Sequence, residues 1–357
     1  MVKYSSFITE NVAPYISKRI GVFDSSGKRV GSIPLGNFKP NYGKRLYRFG
    51  LLSDVHNSND TAGTADPSLD LKHALEFFDN KESVEFTLIT GDLTNTNSDG
   101  EWETYHANIN AHSPHTKVYA CSGNHDGTNG LNIEKFKECT EQENITYSFD
   151  KTWVGNDKKE HTDHFVIFSL RNWNFSKIGE SGGYTQEDLD WLDLKLTEWE
   201  NDRTFVFMHL FWFDGAGNFK ERYPAGNWFS GELKTAMHTI RDKHSNVIWF
   251  SGHSHWKWDL QRYQSSANIK RIGKNGCWTT HIPSCANPID SRQSSSESTG
   301  YTRETVSGGS EGAVIDVYED YIDFRGIVFK DSHAGGKTDS EYTDLYIPIA
   351  QYRLPTF

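Results

Sequence analysis

Five times along this chain an apolar run stops abruptly, and the residues that follow are ones able to bind a metal ion. Tyr47–Leu52 runs into Ser53-Asp54-Val55-His56, and Phe86–Thr90 into Gly91-Asp92. Lys117–Ser122 runs into Gly123-Asn124-His125-Asp126, and Thr204–Met208 ends at His209. Val247–Phe250 ends at Ser251-Gly252-His253-Ser254-His255. The stretches between them carry helical spacing. Leu71, Ala74, Leu75 and Phe78 predict a helix over 69–80 with Ser68 as its cap. Trp102, Tyr105 and Ile109 share one helical face, and Thr185-Gln186-Glu187-Asp188 reads as a capping box before Leu189, Leu192, Leu196 and Trp199. Ser230 stands ready to cap a helix containing Leu233, Met237 and Ile240. Strands alternating with helices predict a mixed α/β fold, and in such folds ligands bind in the crevice at the carboxyl ends of the strands.

The remaining segments fit around this pattern. Residues 1–44 read as an N-terminal extension, with two short strands in Val22–Val30 joined by a polar turn. Residues 45–357 form the main domain, in which His164–Arg171 is a further strand and 57–68 a loop. Residues 286–311, rich in Ser and Gly, are expected as an exposed loop. Residues 312–357 supply closing strands, with Ala313–Tyr318 and Tyr321–Arg325 as an antiparallel hairpin. A chain of 357 residues buries a substantial core without staples.

A net charge of −11 argues against a long nucleic acid as substrate, while a small phosphate ester held by metals is compatible with it. There is no transmembrane segment, since no run approaches the roughly 18 apolar residues of a spanning helix. Met1–Ile20 lacks the apolar centre of a signal peptide. Cys121, Cys139, Cys277 and Cys285 form no C-x-x-C pair and read as reduced structural thiols of a cytoplasmic protein, with a Cys277–Cys285 bridge as the alternative. A phage particle, or secretion by another route, is the alternative location. Nothing in the chain signals an oligomeric state.

Asp54, His56, Asp92, Asn124, His209, His253 and His255 are oxygen and imidazole donors with no thiolate among them, a set suited to Mn, Fe or Zn. Strand alternation would put Asp54 and His56 on one side. Seven donors exceed the needs of one ion, and Asp92 has two oxygens with which to bridge a pair. Two ions roughly 3.5–4 Å apart clamp the attacking and leaving oxygens of an in-line displacement at phosphorus, and a hydroxide between them is a nucleophile at neutral pH. Gly91, Gly123 and Gly252 are expected to let the backbone turn sharply where the donors converge.

The ordered set D-x-H, G-D, G-N-H-D, H, G-H-x-H resembles the calcineurin-like metallophosphoesterase superfamily over roughly residues 45–285. The resemblance implies a four-layer architecture, two packed β-sheets flanked by helices. It implies that Asp54, His56 and His255 hold one metal, that Asn124, His209 and His253 hold a second, and that Asp92 bridges them. His125 would sit off the metals, steadying the phosphate and protonating the leaving oxygen, and Asp126 would either orient His125 or cap a loop. Gly91-Asp92-Leu93-Thr94-Asn95 with Gly100, Glu101 and Tyr105 looks like the class III cyclic-nucleotide phosphodiesterase branch, as does Gly182-Gly183-Tyr184-Thr185. Asn95 stands where that branch has Asp and where purple acid phosphatases have Tyr, and the D-R-G and G-N-H-E of protein Ser/Thr phosphatases are absent.

The expected activity is therefore phosphodiester hydrolysis. The alternatives are a phosphomonoesterase on a small substrate, or an assembly component carrying a wall-polymer phosphodiesterase domain. Trp212, Phe213, Tyr223, Trp228 and Phe229 offer aromatic surface for specificity or serve packing. His281 is a candidate substrate contact outside the motifs, and Arg171-Asn172 faces either the phosphate or solvent.

Overall fold

In a computed structural model of the chain the strand–helix alternation resolves into two six-stranded sheets packed face to face. The structure describes residues 19–23, 29–34, 44–58, 67–128, 130–171, 183–212, 214–217, 231–258, 268–272, 276–288, 310–329 and 343–347. The N-terminal strands β1 (Arg19–Phe23) and β2 (Arg29–Pro34) pair antiparallel as a two-stranded sheet of their own.

The first large sheet is centred on β3 (Tyr47–Leu52), β4 (Phe86–Thr90) and β5 (Lys117–Cys121), all parallel. In the second, β7 (Glu160–Phe168), β8 (Arg203–Met208), β9 (Val247–Ser251) and β11 (Trp278–His281) run parallel. Its edges are the antiparallel strands β6 (Tyr147–Val154) and β10 (Ile269–Arg271). The hairpin β12 (Ser310–Val317) and β13 (Ile322–Phe329), with β14 (Thr343–Ile347), closes the first sheet by pairing β12 antiparallel to β3. The loop expected over 286–311 therefore ends earlier, because Ser310 and Glu311 are buried strand residues, and Ala286 at its start is buried as well. Residues 289–309 lie outside the described set.

The layers follow from which face each apolar residue takes. Phe49, Leu51, Phe86, Leu88, Phe165, Phe205, Phe207 and Phe250 fill the space between the sheets. Helices α1 (Pro67–Glu76), α2 (Asp99–His112) and α3 (Ile133–Thr140) cover the outside of the first sheet. Helices α4 (Gln186–Glu198) and α5 (Gly231–Lys243) cover the second, over Val166, Val206, Met208 and Trp249. Strands buried on both faces read as continuous apolar runs, which is why β4, β8 and β9 stand out in the sequence.

Two local expectations are corrected. Ser68 does not cap α1. Pro67, which has no N–H to leave unpaired, takes the first helical position, and the Ser68 hydroxyl donates to the Ser58 carbonyl at 3.1 Å. The helix also leaves α geometry at Phe77, passing through a π-helical turn, Phe77–Glu82. The wider turn brings both Phe77 and Phe78 onto the Phe329 ring, with centroids 5.6 and 5.5 Å away. The Thr185 capping box forms as read, with the Thr185 amide donating to Asp188 at 2.9 Å. Ser230 lies outside the described residues.

At the amino-terminal ends of the parallel strands a buried polar group ties the sheets together. Arg203 of β8 donates to both oxygens of Asp163 of β7, at 2.9 and 2.5 Å, and the Tyr47 hydroxyl of β3 donates to the same carboxylate. Burial first, then the Asp163 charge, pushes the Tyr47 hydroxyl well above its usual pKa.

Candidate metal centre

The opposite ends of these strands meet in one crevice. The first sheet delivers Asp54, His56, Asp92, Asn124 and His125, and the second delivers His209, His253 and His255. None of the donors sits in extended strand. Asp54, His56, Asp92, His253 and His255 all have φ between 45° and 75°. Strand alternation is thus not what aims Asp54 and His56: β3 ends at Leu52, and each residue turns its side chain from a left-handed backbone position. Such conformations cost a non-glycine residue about 1–3 kcal/mol each and persist where surrounding bonds over-determine them. Here the Asp54, His56 and Asn57 amides donate to the carbonyls of Gly91, Asp92 and Leu93 at 2.9–3.0 Å, lashing the loop after β3 to the loop after β4.

The glycines serve differently from expectation. Gly91 alone of the three has a positive φ, +89°. Gly252 is needed for close approach, since a Cβ there would lie 1.7 Å from Ser53 Oγ and 2.5 Å from Asp54 Oδ2.

The donors converge as two groups sharing one residue: Asp54, His56, Asp92 and His255, and Asp92, His209 and His253. His56 Nε2 and His255 Nε2 face each other at 3.2 Å, with Asp54 Oδ1 3.1 Å from His255 Nε2. His209 Nε2 lies 3.1 Å from His253 Nδ1 and 3.0 Å from Asn124 Oδ1, so Asn124 joins the second group. Asp92 Oδ2 lies between the groups, 3.2 Å from His209 Nε2 and 3.7 Å from His56 Nε2. Its other oxygen is taken by the His125 amide at 2.8 Å, so one oxygen rather than two faces both groups.

A divalent cation fits this arrangement on three observations. A cation about 2.0–2.1 Å from each donor holds neighbouring donors roughly 3.0–3.4 Å apart, the spacing of the donor pairs here except Asp92 and His56, which are 3.7 Å apart. The outward nitrogens are fixed: His209 Nδ1 bonds the Thr90 carbonyl at 2.8 Å and His255 Nδ1 the Asn287 carbonyl at 3.1 Å, leaving each Nε2 lone pair for the crevice. Two fully buried carboxylates also stand side by side with no lysine or arginine paired to either among the described residues.

The electrostatics follow from that. Burial alone would raise Asp54, but His255, His209 and His56 outweigh it and hold the carboxyl well below its usual range. Asp92 is lowered in the same way, chiefly by His209 against the cost of burial. Burial pushes His56 down to about 3. His209 goes the other way: burial opposes its charge, but the Asp92 carboxylate wins and raises it to about 9. A proton on His209 thus does in part what a cation would do.

His125 stands at the rim with its ring edge-on to His56, centroids 4.6 Å apart, and its Nδ1 bonds the Asn95 carbonyl at 2.6 Å. Asp126 is not its orienting partner. Asp126 is fully buried and accepts from the Leu93, Thr94 and Gly123 amides and the Thr94 hydroxyl at 2.8–3.1 Å, which stitches the loop after β4 to the loop after β5. Burial and the nearby Asp92 charge raise its carboxyl to about 6.

The outlying candidates resolve as structure. His281 is fully buried and cannot reach a substrate; burial lowers its imidazole to about 3. Arg171 forms a bidentate pair with Asp188 at the start of α4. Trp212 is buried edge-on against Trp249. Asn172, Gly182, Phe213, Tyr223, Trp228 and Phe229 lie outside the described residues. The four cysteines are buried and unbridged, so the Cys277–Cys285 pair is not made.

Residues 47–257, more than half of the chain, match the calcineurin-like phosphoesterase family. The chain belongs to that family and is a hydrolase of phosphoester bonds. Among solved structures it is similar to a dimetal phosphatase from Danio rerio, at 15% identity and a TM-score of 0.51, covering 85% of this chain and 99% of that one. It is also similar to GAP50, described as the anchor in the inner membrane complex of Plasmodium, at 14% identity and a TM-score of 0.52, covering 86% and 90%. No match is found among curated protein sequences. Among the described residues no helix is long and apolar enough to cross a membrane.

Proposed function

We propose that this protein is a dinuclear metal-dependent phosphodiesterase for small substrates. The observation that carries the reading is the pair of donor groups meeting at a single oxygen, Asp92 Oδ2. Asp54, His56 and His255 would hold one cation and Asn124, His209 and His253 the other, with Asp92 shared between them. Held there, Mn, Fe or Zn would supply Lewis acidity that activates water at neutral pH and offsets charge on the phosphate. His125, its Nδ1–H donated to the Asn95 carbonyl, offers Nε2 to the phosphate and serves as proton donor to the leaving oxygen. Asp126 keeps the loops bearing Asp92 and Asn124 in register and takes no part in proton transfer.

Two points favour a diester over a monoester. Gly91-Asp92-Leu93-Thr94-Asn95 resembles the cyclic-nucleotide phosphodiesterase branch. Arg171, at the same end of the strands, is spent on Asp188, which leaves a monoester dianion without that extra positive charge. The four unbridged thiols suit a reducing compartment such as the cytoplasm. Protein reconstituted with manganese is expected to hydrolyse bis-nitrophenyl phosphate faster than the mono-nitrophenyl ester. Rates on both esters no higher than those of a His209→Ala control would end the proposal.

A second reading draws on the separate β1–β2 sheet. Residues 1–44 form an extension that joins the enzyme to an assembly, as the anchoring neighbour allows. Deleting residues 1–44 should then reduce the particle size seen by size-exclusion chromatography; an unchanged monomer removes the assembly.

A further inference from the structure

His253 and His255 lie on one short turn, yet they serve different donor groups. The turn is strained. The Ser254 amide donates back to the Gly252 carbonyl at 3.0 Å across His253, whose φ is 75°, which makes the rare positive-φ form of the γ-turn. His255 follows at φ 60°. Something must hold Ser254, the residue between the two imidazoles.

The holder is His281, from the end of β11, which lies beside Ser251 in the parallel pairing with β9. Its Nε2 is 2.8 Å from Ser254 Oγ, and both residues are 1% exposed or less. His281 is itself pinned. Its amide donates to the Asn268 carbonyl at 2.6 Å, and the Asn268 side chain donates to the Trp256 carbonyl at 3.1 Å, just past the turn. The Trp256 indole in turn donates to the Gly217 carbonyl at 2.7 Å. A Ser–His contact of this length invites comparison with a nucleophile and its base. That comparison fails, because Ser254 is buried and, among the described residues, His281 Nδ1 has no orienting partner.

We infer that His281 is a positioning residue for the two-cation centre: its bond to Ser254 holds the strained turn that sends His253 to one donor group and His255 to the other. The inference rests on the dinuclear reading above. It assigns a role to a histidine that lies outside every motif block, and it touches no substrate. Losing a partner that orients metal-binding side chains typically weakens metal affinity about 10–100-fold.

Manganese binding to the full chain, followed by calorimetry, tests it without recourse to activity. His281→Ala and Ser254→Ala should each weaken manganese binding by about 10–100-fold. The double variant should be no weaker than His281→Ala alone, because that variant already removes the bond to Ser254. His281→Gln, whose amide reaches the same hydroxyl, should recover most of the affinity. Ser254→Ala removes one buried oxygen and keeps the test decisive if His281→Ala does not fold. Wild-type affinity in Ser254→Ala, or additive losses in the double variant, would overturn the positioning role while leaving the dinuclear centre standing. A wild-type protein that takes up no manganese would overturn the dinuclear reading itself, and this role with it.

Discussion

Two buried polar clusters sit at opposite ends of the same strands, and they are built on opposite principles. At the amino ends, Asp163, Arg203 and Tyr47 are each 2% exposed or less, and Arg203 goes on to donate to the Tyr318 carbonyl at 2.8 Å. Every charge there has a partner of opposite sign. At the carboxyl ends Asp54 and Asp92 are as deeply buried, yet they face imidazoles that crowd one another nitrogen to nitrogen at 3.1–3.2 Å. Five of those residues hold left-handed backbone, and none of the three in the first cluster does. Burial therefore does not mark the functional end. An incomplete charge balance held in place by strain does, and an added cation completes it.

The comparison can be broken in several ways. The largest expected effect is kinetic. His125→Ala should lower kcat by about 10²–10⁴-fold while two cations remain bound and the melting temperature stays near wild type. Loss of a cation in that variant would make His125 a ligand instead.

Next comes stability. Asp163→Asn leaves Arg203 buried without its counter-charge and should cost about 3–5 kcal/mol in denaturant unfolding. Asp92→Asn should cost less in cation-free protein, where His209 can shed its proton. It should instead abolish the rise in melting temperature that manganese gives the wild type, a rise worth about 2.7 kcal/mol at a hundredfold excess over Kd. Equal losses for the two variants would erase the distinction between the clusters.

The smallest effect is in acid. Burial works against the Asp188 charge, but Arg171 and the Thr185 amide and hydroxyl outweigh it and hold the carboxyl below its usual value. A lowered folded-state pKa adds stability that is complete above the unfolded value of about 3.9 and drains away as pH falls through the folded one. Asp188→Asn should therefore be less stable than wild type at pH 7 and converge with it as the pH falls through the lowered folded-state value. A gap constant with pH would show that the Asp188 charge contributes nothing.

The sequence exposed the end of the molecule where chain and chemistry coincide. β3, β4, β8 and β9 are apolar runs that stop where their donors begin, so the convergence of Asp54, Asp92, His209 and His253 could be read from order alone. The edges were not legible. β6 mixes Ser148, Asp150, Lys151 and Thr152 into a half-exposed strand, and β10 is three residues long. Nor could the sequence reveal that Asp92 spends one oxygen on the His125 amide, or that Asp126 caps backbone instead of serving His125. Both depend on how two loops far apart in the chain lie against each other. The left-handed φ values had a faint signal, since Asp and His tolerate that region better than most residues. The amino-end cluster had none, because Tyr47, Asp163 and Arg203 sit in no motif and meet only through the packing of the two sheets.

The central claim is that one carboxylate oxygen joins two cation sites. Anomalous diffraction from crystals grown with manganese tests it most directly. The expected result is two peaks roughly 3.5–4 Å apart, both in contact with Asp92 Oδ2. A single peak, or two peaks of which only one touches Asp92, would contradict it.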